Sequence, residues 1–118
     1  MARKIAIALL IEDRPVLSSL QFALAVDGFD ARDGSSQGGL ASAAALVIDQ
    51  GYRGDGLAWL GTLRAGGSFV PAILLATNPT PRLRARARET GAALIEKPLR
   101  FHELRAAIDA ALCDQKAA

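Results

Sequence analysis

The run Ile5-Ala6-Ile7-Ala8-Leu9-Leu10-Ile11 is apolar at every position and ends abruptly at Glu12-Asp13. It is far short of the roughly 18 residues that would suggest a membrane span. A strand that is apolar on both faces needs cover on both sides, which is the condition of strands in a parallel sheet flanked by helices. The rest of the chain must therefore alternate strand with helix, and its pattern does so.

A helix begins near Pro15, where a missing N–H costs nothing, carries Leu17, Leu20 and Leu24 at helical spacing, and closes at Gly28. Phe29–Arg32 reads as a short second strand, followed by a Gly/Ser turn region over Gly34–Gly39. Leu40–Ala44 leaves room for only the remnant of a second helix. Ala45-Leu46-Val47-Ile48 is a third strand that ends at Asp49. A glycine-containing loop, Gln50–Gly56, leads to a third helix marked by Leu57, Leu60 and Leu63. Ala72–Ala76 is a fourth strand. Thr80-Pro81 reads as an N-cap and first turn of a fourth helix, which stops at Gly91. Ala93-Leu94-Ile95 is the fifth strand, and Phe101, Leu104, Ile108 and Leu112 share one face of the last helix. The expectation is an α/β, flavodoxin-like, doubly wound parallel sheet of five strands in the order 2-1-3-4-5. Five helices accompany it, the second of them short.

The chain has 118 residues, so it is expected to form one domain, 1–118, with no separate output domain. Half of its residues are apolar, enough for a core, and the net charge of +2 is too small to argue for nucleic acid. No signal-peptide pattern opens the chain and no stretch could span a membrane, so the compartment expected is the cytoplasm. Cys113 is the only cysteine, which excludes an internal disulfide and a cysteine metal site.

In an open parallel sheet, ligands sit at the carboxyl ends of the strands, where the strand order reverses. The residues that end the strands here are Glu12 and Asp13, then Asp49, then Lys97-Pro98. Glu12, Asp13 and Asp49 are expected to converge, with Lys97 opposite. Converging carboxylates repel, and a hard dication such as Mg²⁺ offsets that repulsion. A lysine adds a point charge for a phosphoryl group. The set suits phosphoryl transfer to an aspartate.

An acidic pair after the first strand, a lone aspartate after the third and Lys-Pro after the fifth resemble the response-regulator receiver family of two-component signalling. The resemblance runs over the whole chain, from about Lys4 to Leu112. No single motif carries it; the ordered set does. It implies that Asp49 is the phosphoacceptor and that Mg²⁺ is held by Glu12, Asp13, Asp49 and the backbone carbonyl of Gly51. It implies that Lys97 contacts the phosphoryl oxygens and that Pro98 follows a cis peptide bond. The phosphodonor implied is a sensor histidine kinase or a phosphotransfer protein. The protein would not be an enzyme beyond its own phosphorylation and dephosphorylation. Its output would be protein contact or phosphorelay, with weak homodimerisation through the fourth and fifth helices.

The chain departs from the family at the switch positions. Ala76 stands where a hydroxyl residue is usual, with Thr77 next to it as a substitute phosphate contact. Leu94 stands where an aromatic residue is usual. A lost hydrogen bond to a charged group is worth about 1.5–3 kcal/mol, which weakens a switch without abolishing the chemistry. These departures leave open a receiver-fold scaffold that is never phosphorylated, and the α/β fold class by itself allows a second alternative, a flavodoxin-like small-molecule binder. The second lacks a Gly-rich phosphate loop after the first strand.

Other residues have plainer readings. Asp55 reads as the N-cap of the third helix rather than a second acceptor. His102 and Cys113 read as surface or inert residues, and Trp59 as half-buried packing. Tyr52 is placed by position over the acceptor. Arg82, Arg84, Arg86 and Arg88 fall on two faces of the fourth helix, with Arg86 spaced to pair with Glu89. A solvated basic helix is the plain reading of these arginines, and an acidic partner surface is the sharper one.

Overall fold

The computed structural model describes residues 4–36, 38–40 and 42–117, with side chains through residue 113. Five parallel strands, β1 (Ala6–Leu10), β2 (Asp30–Asp33), β3 (Ala45–Asp49), β4 (Ala72–Ala76) and β5 (Ala92–Glu96), pair in the order β2-β1-β3-β4-β5. Four helices are present among the described residues: α1 (Arg14–Val26), α2 (Gly56–Ala65), α3 (Pro81–Thr90) and α4 (Phe101–Ala117). The strand order and α/β class are those expected from the alternation. The helix count is one lower.

The missing helix is the remnant expected over Leu40–Ala44. The described residues there form turns that lead into β3, and Ala41 lies outside them. The physical reason is local. Gly38 and Ser42 both have positive φ, at 79° and 61°, which no helix accommodates. Leu40 is the one large apolar side chain of the segment and it remains 36% exposed, so no apolar stripe draws a helix onto the sheet.

The period-two alternation of the strands divides the core into two layers. Ile7, Leu9, Val47, Ile73 and Leu75 face one way and meet Leu17, Leu20 and Leu24 of α1 and Leu104 and Ile108 of α4. Ala8, Leu10, Leu46, Ile48 and Leu74 face the other way and meet Leu57 and Leu60 of α2 and Ala87 of α3. The helices that the sequence numbers third, fourth and fifth are thus α2, α3 and α4.

Capping fixes where three helices begin, and hence where the strand-end loops stop. The Asp13 carboxylate accepts from the Val16 N–H at 3.2 Å, the Asp55 carboxylate from Ala58 N–H at 3.0 Å, and the Thr80 hydroxyl from Leu83 N–H at 3.0 Å. Proline follows the cap in α1 and α3. At the opposite end of the sheet Arg64 braces three segments. It donates to the carbonyls of Thr90 at 3.0 Å and Val70 at 2.6 Å, and at 3.3 Å to those of Ser68 and Gly91. Burial lowers its pKa from the ordinary arginine value. No described helix is long and apolar enough to cross a membrane.

Candidate phosphoacceptor site

The register brings the polar strand ends to one rim. Leu10 pairs with Ile48 and Asp49 with Leu75, so the residues that follow β1 stand beside Asp49. Ala76 pairs with Glu96, and the Lys97 N–H donates to the Ala76 carbonyl at 2.8 Å, which carries Lys97 to the same rim. The Lys97 ammonium makes a direct ion pair with Oδ1 of Asp49. The Lys97–Pro98 peptide is cis. Asp49, Gly51, Ala76, Thr77 and Lys97 line one recess of about 390 Å³. Ala76 is buried at its base, 2% exposed, while Thr77 is exposed beside it. Leu94 packs into the second core layer, away from that recess.

The loop after Asp49 is folded back on the carboxylates. The Gly51 N–H donates to Asp49 Oδ2 at 2.9 Å, and the Arg53 N–H donates to Glu12 Oε2 at 3.3 Å. A Cβ at residue 51 would stand 3.0 Å from Asp49 Oδ2, so glycine allows the close approach. Arg53 takes a left-handed conformation in the same turn, φ 51° and ψ 33°. Gln50 holds the loop from inside. Its side-chain N–H donates to Asp55 at 2.9 Å and its side-chain oxygen accepts from Leu57 N–H at 3.0 Å.

The three carboxylates converge less tightly than the sequence suggests. Among the described residues no group of three His, Cys, Asp or Glu side chains stands close enough to hold one metal ion. Each of the three is held by other donors. Asp13 Oδ1 caps α1, Glu12 accepts from Arg53, and Asp49 accepts from Gly51 and Lys97. The donor chemistry still fits Mg²⁺, which needs only one or two carboxylates and completes its shell with water and phosphate oxygens. Glu12, in the loop after β1, and Asp49, at the end of β3, are the hard oxygen donors that would form such a pair.

Tyr52 does not lie over the acceptor. It is 3% exposed, packs in the second core layer and meets Trp59 edge-to-face with ring centroids 5.6 Å apart. Its recess is a neighbouring one, shared with Ile11, Glu12, Arg14, Ser35 and Arg53. Arg86 pairs with Asp55 at 3.4 Å rather than with Glu89, because the α2 N-cap presents a second carboxylate oxygen toward α3. His102 and Cys113 are exposed. Gln50 and Arg53 are the site residues that sequence reasoning missed. Neither belongs to a motif, and a positive φ at an arginine leaves no trace in the sequence.

No protein-family model matches the chain, and no curated relative matches it. Solved structures do. A response regulator receiver domain protein from Clostridium thermocellum superposes with a TM-score of 0.83 at 21% identity, over 96% of this chain and 98% of that one. A CheY-like receiver domain protein from Methanospirillum hungatei JF-1 gives 0.84 at 19% identity, over 98% of both chains. The chain has the receiver-domain fold. A third receiver domain, Francisella response regulator 1452, gives 0.84 at 18% identity over 95% of this chain and 99% of that one. At such identities the likeness speaks for the fold, and function has to be argued from the site.

Proposed function

We propose that the protein is a signalling receiver that accepts a phosphoryl group on Asp49 from a phosphohistidine of a sensor kinase or phosphotransfer protein. The observation that carries this reading is the direct Asp49–Lys97 ion pair at the carboxyl ends of β3 and β5, in a receiver fold. That pair lines an open recess and both side chains are partly exposed, which leaves them within reach of a phosphoryl group on another protein.

The roles follow from the contacts. A carboxylate oxygen of Asp49 attacks phosphorus while the bond from phosphorus to the donor nitrogen breaks, and the imidazole departs with its electron pair. The Gly51 N–H keeps the second carboxylate oxygen oriented during the attack. Lys97 transfers its pairing from the carboxylate to the phosphoryl oxygens, and Thr77 is the hydroxyl nearest to replace the one that Ala76 lacks. Glu12, Asp13, Asp49 and the backbone carbonyl of Gly51 are the groups that would hold Mg²⁺. The ion supplies neutralisation of the phosphoryl charge.

Incubation with Mg²⁺ and acetyl phosphate, followed by intact-mass measurement, tests the reading. The expected result is a gain of one phosphoryl group that is lost in Asp49→Asn and in EDTA. An unchanged mass in the parent protein would favour the receiver-fold scaffold that is never phosphorylated. Ala76 and Leu94 are the observations on the side of that second reading, since both remove side chains that would sense the phosphoryl group.

A further inference from the structure

α3 is the helix least anchored by apolar packing. Its sequence, Pro-Arg-Leu-Arg-Ala-Arg-Ala-Arg-Glu-Thr, buries only Ala87 fully, with Leu83 partly buried beside it. A helix held by so small an apolar footprint shifts at low cost. At 100° per residue, Arg84 and Arg86 project on opposite flanks of the Leu83–Ala87 line, roughly 200° apart. Each flank makes one ion pair. Arg84 reaches Glu96 at 3.0 Å, the residue immediately before Lys97. Arg86 reaches Asp55 at 3.4 Å, whose other oxygen is held by Gln50, the residue immediately after Asp49. Among the described residues these are the side-chain polar links from α3 to the segments that carry Asp49 and Lys97. The side chains at positions 76 and 94, alanine and leucine, cannot provide a polar one.

We infer that Arg84 and Arg86 form a bracket that couples the Asp49–Lys97 contact to the position of α3, and this rests on the receiver reading above for its biological use. Both pairs are partly exposed, so each is weak and depends on geometry. A small displacement of Glu96 or of the Gln50–Asp55 loop then changes the balance between the two flanks, and α3 follows. Arg82 and Arg88, which make no ion pair among the described residues, ride on the outer side of the helix and would report that movement to a partner.

Amide NMR of the full chain tests the coupling without any phosphodonor. Asp49→Asn removes the charge that Lys97 pairs with. In the parent background it is expected to shift the amides of Ala85 and Arg88 as well as those of Gly51 and Lys97. In Arg84→Ala/Arg86→Ala the α3 response should fall by at least half while the Gly51 and Lys97 responses persist. The charge swap Arg84→Glu/Glu96→Arg, measured with Arg86 intact, should restore the response that Arg84→Ala alone loses. Equal α3 responses with and without the two arginines, or an α3 that stays silent in the parent, overturn the bracket. Intact mass after acetyl phosphate is read separately: a missing phosphoryl gain with the NMR coupling intact removes the phosphoacceptor reading and leaves the bracket standing.

Discussion

Replacing Arg64 should destabilise the protein more than any other single arginine substitution. Its guanidinium ties the α2 C-terminus to the carbonyls of Val70, just before β4, and Thr90, at the end of α3. Those two bonds, at 2.6 Å and 3.0 Å, have good geometry, while the two at 3.3 Å add little. A hydrogen bond to a charged group contributes about 1.5–3 kcal/mol. The side chain is only part-buried, so the freed carbonyls regain some water and the lower end applies. Arg64→Met, which keeps the apolar stem, should therefore cost about 3 kcal/mol. At this chain length that is a fall in Tm of roughly 12 °C. Arg64→Lys should recover less than half, because an ammonium cannot serve both carbonyls from a planar fork. Urea denaturation followed by Trp59 fluorescence measures the difference. A loss below about 1 kcal/mol in Arg64→Met, or full rescue by lysine, would refute the claim that directed multiple bonding makes Arg64 a brace.

Three further outcomes follow from the site. Gly56→Ala should destabilise despite alanine's better helix propensity, since the new Cβ would stand 2.3 Å from the Asp49 carbonyl oxygen; about 1–3 kcal/mol is expected, with a disturbed Gly51 amide in NMR. Asp55 has a carboxyl held below the usual carboxylate range, first by the Ala58 N–H it caps and then by Gln50 and Arg86. A depressed folded pKa gives stability that is present above the unfolded value near 4 and is lost as pH falls through the folded one, so the Tm advantage of the parent over Asp55→Asn should shrink below about pH 4. Lys97→Met should leave the fold intact and slow phosphoryl transfer from acetyl phosphate by at least tenfold, measured by the rate of mass gain; an unchanged rate would remove Lys97 from the site.

How far the sequence could be read depended on how much burial each segment shows. The runs Ile5–Ile11 and Ala72–Ala76 are apolar at every position because both faces are covered, and a continuous run leaves little doubt about a strand. The caps at Asp55 and Thr80 were legible because a side-chain oxygen three residues before an unpaired N–H has one geometry, whereas the cap at Asp13 was hidden behind its reading as a metal ligand. Leu40–Ala44 misled because its small residues carry no period, so the regular alternation of the remaining chain suggested a helix where turn residues prevail. Tyr52 was misplaced because sequence position gives the loop but not the rotamer; an aromatic side chain between Gly51 and Arg53 gains more by joining Trp59 in the core than by lying over charged groups. The strand-end rule located Asp49 and Lys97 correctly on one rim. It could not show that backbone N–H groups already occupy the three carboxylates, since two of those donors, Gly51 and Arg53, come from an irregular loop and the third, Val16, from the α1 cap.

The central claim is that Asp49 itself carries the phosphoryl group. An aspartyl phosphate is reduced by borohydride to homoserine, so treatment of the acetyl phosphate-reacted protein and peptide mass spectrometry reads the acceptor directly. The account predicts homoserine at position 49 and nowhere else. Homoserine at Asp13 or Asp55, or none at all from protein incubated with Mg²⁺ and excess donor, would contradict it.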